Sequence, residues 1–205
     1  MKKALFIIAL TCVVASLNAQ KSNLWVKGGA TASSFFETYN SNKSMIFGPE
    51  FGVFLRAQFP HNLGYESGIF YAEKGTKFNT KRVKASLDYI GAYGDVLINF
   101  PLVHNNNFFA GAGIFFADAL NGKLKYDDSV TSKIVFGDTW KRFDAGVEFK
   151  TGLEISNTVS IGAQYGIGLF HVYSSLDPRD RSNKARNSTF ALDIAFNLRS
   201  LSRKK

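Results

Sequence analysis

The stretch Arg142-Phe143-Asp144-Ala145-Gly146-Val147-Glu148-Phe149-Lys150-Thr151-Gly152-Leu153-Glu154 alternates residue by residue. Phe143, Ala145, Val147, Phe149 and Leu153 take every second place, and Arg142, Asp144, Gly146, Glu148, Lys150 and Glu154 fill the places between. Successive side chains of a strand point to opposite faces, so period two predicts a strand with one apolar and one charged face. A helix would scatter the same residues around its circumference.

Seven more segments carry the same signature, at 24–33, 47–58, 63–74, 87–100, 108–117, 159–170 and 189–198. In 47–58, Phe47, Phe51, Val53 and Leu55 oppose Gly48, Glu50, Gly52 and Arg56. In 87–100, Ile90, Ala92, Val96 and Ile98 oppose Tyr89, Gly91, Tyr93, Asp95 and Asn99. The connections alternate in length. Residues 59–62, 101–107 and 155–158 are short, whereas 35–46, 75–86, 120–141 and 171–188 are long. Eight strands with tight turns on one rim and long loops on the other predict an all-β fold, an eight-stranded antiparallel up-and-down transmembrane β-barrel. An even strand count places both ends on the short-turn, periplasmic rim.

Alternation alone fits a water-soluble lipocalin-like barrel of opposite polarity equally well. Three features favour the membrane. The polar face holds many glycines (Gly52, Gly64, Gly68, Gly111, Gly113, Gly146, Gly162 and Gly166 among them), which a narrow interior needs beside long side chains. Aromatic residues such as Phe47, Tyr71, Phe100, Phe108, Phe116 and Phe190 recur near strand ends on the apolar face, as in interfacial girdles. That face is nearly free of charge; Glu73 and Asp118 interrupt it only at strand ends.

Lys2 and Lys3 precede an apolar run, Ala4 to Leu17, that ends in Asn18-Ala19. This predicts a signal peptide over 1–19, cleaved after Ala19, and a single barrel domain over 20–205. Thr11 stands where a lipoprotein signal before Cys12 needs a small residue, so lipidation is not expected. Loss of Lys2 and Lys3 with the signal leaves 23 basic against 16 acidic residues. Lys81, Arg82, Lys84, Arg179, Arg181, Lys184, Arg186, Arg203, Lys204 and Lys205 fall in expected loops or the tail. An exported barrel meets no nucleic acid. It does meet outer-membrane lipid and lipopolysaccharide, the expected partners for these cations.

Five further stretches carry a resemblance. They are Val26-Lys27-Gly28-Gly29-Ala30, Tyr71-Ala72-Glu73-Lys74-Gly75, Asp88-Tyr89-Ile90, Phe100-Pro101-Leu102 and Ala110-Gly111-Ala112-Gly113. Over about 24–198 the chain resembles the outer-membrane β-barrel domain family of Bacteroidota, the porin-family or PorT-like proteins. Its pattern departs in the fourth strand, where a compact Tyr-x-x-x-Pro step is stretched between Tyr89 and Pro101. Membership implies the barrel and the outer membrane of a Gram-negative cell, with no single shared activity.

The barrel grammar points Lys27, Glu50, Arg56, Glu66, Lys74, Asp95, Arg142, Asp144, Glu148, Lys150, Glu154 and Asp193 inward. Eight strands enclose little more than side-chain volume, so these charges are expected to pair and fill the lumen. Tyr126, Phe136, Trp140 and Tyr173 lie in the long loops among charges and form a candidate partner-binding surface. For catalysis, His61 and His104 fall on short turns. His171 lies near Ser174 and Ser175 without a carboxylate placed to orient it. Asp127, Asp128, Asp177 and Asp180 lack a calcium-loop signature. The expected function is therefore a non-enzymatic outer-membrane barrel without cofactor or metal, structural or partner-binding through its extracellular loops. A small pore for ions or solutes is the alternative, and a lipid-modifying enzyme a more distant one.

Overall fold

The computed structural model describes residues 22–37, 43–79, 82–126, 130–174 and 184–202. The signal segment 1–19, the four loop aspartates just named and Ser175 lie outside them, as do Lys81, Arg179, Arg181 and the tail 203–205. Ten strands form one sheet: β1 Ser22–Glu37, β2 Lys43–Gln58, β3 Leu63–Phe78, β4 Val83–Pro101, β5 Asn107–Tyr126, β6 Val130–Lys133, β7 Phe143–Ile155, β8 Val159–Gly168, β9 Tyr173–Ser174 and β10 Lys184–Asn197. A short helix, α1 Leu198–Ser202, follows. Eight of the strands make an antiparallel meander, and β1 pairs with β10 from Trp25↔Asn197 to Glu37↔Ala185, which closes the barrel. The short β6 and β9 hang on β5 and β10 at the long-loop rim.

All three short turns have the same local cause. His61-Asn62, His104-Asn105 and Ser156-Asn157 each place two successive residues at positive φ. That is the type I′ geometry whose twist matches a hairpin, and asparagine tolerates it at the second central position. The closing bonds are Leu63 N–H to Pro60 O, Asn106 N–H to Val103 O and Thr158 N–H to Ile155 O. His61 and His104 are thus turn residues, one in each of two tight turns.

The strands run further toward the long-loop rim than alternation predicted. The expected 75–86 loop is carried largely by β3 and β4, which stay paired to Phe78↔Val83, and β5 continues to Tyr126. Beyond the membrane the outer face meets water, so both faces take polar residues and the period-two signal fades. Two irregularities hide it further. Leu120 is an extra residue where Asp88/Tyr89 face Asn121/Ala119, and the β2–β3 register shifts between Met45 and Glu50, around Pro49, which has no N–H to donate. At the other edge of expectation, β7 begins at Phe143 and β8 ends at Gly168.

The barrel's polarity is inverted relative to a water-soluble one. Lys27, Glu50, Arg56, Glu66, Asp95, Asp144, Lys150 and Glu154 are buried inside. Phe47, Phe51, Ile69, Val96, Ile114, Phe149, Leu192 and Ile194 are exposed outside. On β4 the outward apolar residues run from Ile90 to Phe100. At about 3.3 Å per residue and a tilt of about 40°, that run is about 25 Å tall, the height of a membrane barrel's apolar band.

Candidate functional site

The lumen is built in tiers from the alternate residues of every wall strand. At the short-turn end three buried asparagines, Asn99, Asn107 and Asn197, point inward. Asn107 Nδ2 donates to Asn99 Oδ1 at 2.9 Å, and Asn197 Nδ2 donates to the Asn157 carbonyl at 2.9 Å.

Arg56 lies above them. Its Nη2 is 2.6 Å from Glu66 Oε2, and its Nη1 is 3.0 Å from Glu154 Oε2. The guanidinium also lies over the Phe109 ring at 4.2 Å and near Trp25 and Phe54, which stack on each other. Burying a guanidinium costs several kcal/mol unless its donors are satisfied, and two carboxylates with an aromatic face supply that. Lys150 forms the next node. Its Nζ contacts Glu66 Oε1 at 2.7 Å and Asp95 Oδ2 at 2.6 Å, 4.1 Å from the Tyr93 ring centre. Tyr93 Oη donates to Glu66 Oε1 at 2.8 Å, so Glu66 joins Arg56, Lys150 and Tyr93. Lys27 pairs with Glu50 and donates to Gln164 Oε1.

One tier further out Lys74 sits among the rings of Phe115, Phe70 and Tyr89, with Phe115 closest at 4.6 Å. Asp144 accepts from Asn187 Nδ2 at 2.7 Å. Glu148 is buried on the inner face, and Asp193 is largely enclosed there. Glycine makes this density possible. A Cβ on Gly113 would lie 2.1 Å from the Gly94 carbonyl and 2.2 Å from Asp95 Oδ1.

The structure thus gathers inside the barrel every expected lumen charge except Arg142. That side chain is exposed at the long-loop rim, where it donates to the Ala119 carbonyl and lies over Phe136. Its place in the alternation is inward, but the residue precedes β7, which begins at Phe143. The ring partners Tyr89, Tyr93, Phe109 and Phe115 share the inward parity of Asp95 and Gly113. That parity was legible, but which charge each ring meets depends on neighbouring strands.

The four aromatics expected on a loop surface are divided. Tyr126 is exposed. Trp140 is only 8% exposed, and Phe136 and Tyr173 are partly buried against the core. Trp140 packs on Tyr173 at 4.9 Å and on Phe35 at 6.1 Å. Phe35, Ile134, Val172 and Ala185 join them in one apolar cluster with Leu87 and Tyr89. The backbone straps the cluster down through Ile134 N–H to Gly122 O, Lys141 N–H to Val172 O, Ser174 N–H to Thr139 O and Val172 N–H to Ala185 O. These residues therefore form an apolar cap over the outer mouth. A run of aromatics between charges looks the same in sequence whether it docks a partner or its own barrel. We expect Trp140→Ala to loosen this strap and raise tryptic cleavage at Lys133, Lys141 and Arg142 on the order of tenfold, the effect of about 1.4 kcal/mol of lost local packing. An unchanged digestion rate would show that Trp140 does not hold the cap.

His171 is half-buried at the same rim. Burial, with Arg186 and Lys184 nearby, holds its imidazole below the usual histidine range. Among the described residues, no group of three or more His, Cys, Asp or Glu is arranged to hold a metal ion.

An apolar belt outside, a charged interior and all short turns on one rim define an outer-membrane β-barrel. The chain belongs to the family described as the outer membrane protein beta-barrel domain, whose profile matches residues 4–197. It is similar in structure to Ail, the attachment invasion locus protein of Yersinia pestis, at 13% identity and a TM-score of 0.45 over 86% of this chain and 99% of that one. It is also similar to Neisserial surface protein A, at 12% identity and a TM-score of 0.49 over 87% of this chain and 100% of that one. The outer membrane enzyme PagL is a third such structure, at 13% identity and a TM-score of 0.46 over 85% and 99%. No curated protein sequence matches the chain.

Proposed function

We propose that this protein is a non-enzymatic outer-membrane barrel that does not conduct, and that acts as a structural or partner-binding element through its outer rim. The observation that carries this is the filled lumen. Arg56 and Lys150 each join two carboxylates from different strands, and they lie between an asparagine floor and an aromatic cap. Buried charges linked across strands favour a closed network, because moving one partner leaves the other unpaired in a low-dielectric interior. Rim residues such as Tyr126, with the loop segments around it, then carry any protein contact. The same proposal includes export through a cleaved 1–19 signal, lipopolysaccharide as a lipid partner and kinship with the porin-family or PorT-like proteins of Bacteroidota, on the motifs quoted above.

The refolded barrel in planar bilayers tests the closed lumen. Wild type should be silent, and so should Arg142→Ala, since that side chain lies at the rim. Discrete currents altered by Glu148→Ala would instead make the interior a path. Such a path should be cation-selective, because seven inward carboxyl groups (Glu50, Glu66, Asp95, Asp144, Glu148, Glu154 and Asp193) face four inward cations (Lys27, Arg56, Lys74 and Lys150).

A further inference from the structure

Above the apolar band, the outer face of β3, β4, β5 and β6 carries lysines in register. Lys77 of β3 lies directly opposite Lys84 of β4, and Lys84 lies directly opposite Lys125 of β5. Nearer the membrane on β5, Lys123 lies opposite Lys133 of β6. The alternating neighbours Thr76, Ala85, Leu87 and Gly122 are buried, so these lysines point out from the wall. Like charges placed directly opposite one another in a sheet are destabilising. A ladder of three across adjacent strands concentrates positive charge on one face of the outer rim, where an anion is attracted.

The acids of this face lie closer to the membrane. Glu73 and Asp88 pair across strands just beyond Tyr71 and Ile90. Glu73 comes within 3.9 Å of Lys84, and Asp88 accepts from the Tyr71 hydroxyl. The ladder's backbone is six residues past Ile90, about 15 Å above the band at the strand rise and tilt used above. Lys84 reaches back down toward Glu73, so its ammonium lies between those levels. A phospholipid phosphate sits at the band's edge, below the lysines. Phosphates carried on the sugars of a glycolipid headgroup stand at their height.

We propose that the outward lysines Lys77, Lys84, Lys123, Lys125 and Lys133 form a binding site for the phosphorylated sugar headgroup of an outer-leaflet glycolipid. This rests on the outer-membrane orientation and gives the expected lipid partner one face of the barrel. The site lies on the outer face of wall strands β3, β4 and β5 and of β6 beside them, opposite the lumen.

The test uses the full refolded barrel inserted in three kinds of vesicle: with purified lipopolysaccharide, with the same lipid enzymatically dephosphorylated, and with phosphatidylglycerol alone. Wild type is compared with Lys77→Gln/Lys84→Gln/Lys125→Gln. A control, Lys141→Gln/Lys184→Gln/Arg186→Gln, removes three charges from elsewhere on the rim. Wild type and control should bind lipopolysaccharide alike, and the ladder variant at least about tenfold more weakly, with a flatter salt dependence. Without glycolipid the ladder variant should still insert and melt cooperatively, which separates lost binding from lost folding. Equal binding by the ladder variant, or wild-type binding that persists undiminished on dephosphorylated lipid or phosphatidylglycerol, would overturn the site while leaving the barrel intact. Failure of wild type to insert into any vesicle would overturn the membrane orientation itself, and the site with it.

Discussion

Arg56→Ala should destabilise the barrel by about 3–5 kcal/mol, the loss that follows when one partner of a buried ion pair is removed. Arg56 is buried with Glu66 and Glu154, and each carboxylate is bonded to it. Removing the guanidinium leaves Glu154 without that partner and costs Glu66 one of its two cations. It also opens a void beside Phe109, Trp25 and Phe54. A denaturant titration in lipid vesicles, followed by Trp25 and Trp140 fluorescence, measures the loss. The combination Arg56→Met/Glu154→Gln should recover much of it, because packing is restored, Glu154 no longer carries an orphaned charge and Glu66 keeps Lys150. A loss under about 1 kcal/mol for the single variant would mean that water reaches the site and the plug is not closed.

Val96→Arg should cost about 2–4 kcal/mol in a bilayer, the depth-dependent penalty for a charge on the lipid face of a barrel near its midplane. Val96 is 60% exposed on the outer face of β4, midway along the Ile90 to Phe100 run. Ile90→Arg, at the band's edge, should cost only about 0–1 kcal/mol. The same denaturant titration checks both. Equal and small losses at the two positions would be the behaviour of a barrel with water outside, and would overturn the assignment of the faces.

The wall was legible because bilayer and lumen impose opposite demands on alternate residues. Each of the eight segments read from the sequence lies in or largely overlaps a wall strand, and the inward charges from Lys27 to Asp193 follow from parity alone. The reading faltered where that contrast ends. Past Glu73, Asp88 and Asp118 the outer face meets water, so strand residues such as Lys77 and Lys84 looked like loop. Arg142 kept inward parity one residue before β7 begins. The bulge at Leu120 shifted parity within a segment that already read as loop.

Length, alternation and turn residues were enough to determine a closed eight-stranded barrel, its polarity and its rims, because these depend on local backbone geometry and on the solvent each face meets. The choice of partners among seven carboxyl groups and four cations was decided by tertiary structure. Register across non-adjacent strands brings Glu66 of β3, Asp95 of β4 and Lys150 of β7 to one point. The fate of Trp140 and Tyr173 was decided the same way. An aromatic loop buries itself or stays exposed according to whether a complementary apolar mouth lies within reach, and here Phe35, Val172 and Ala185, brought together by barrel closure, provide it.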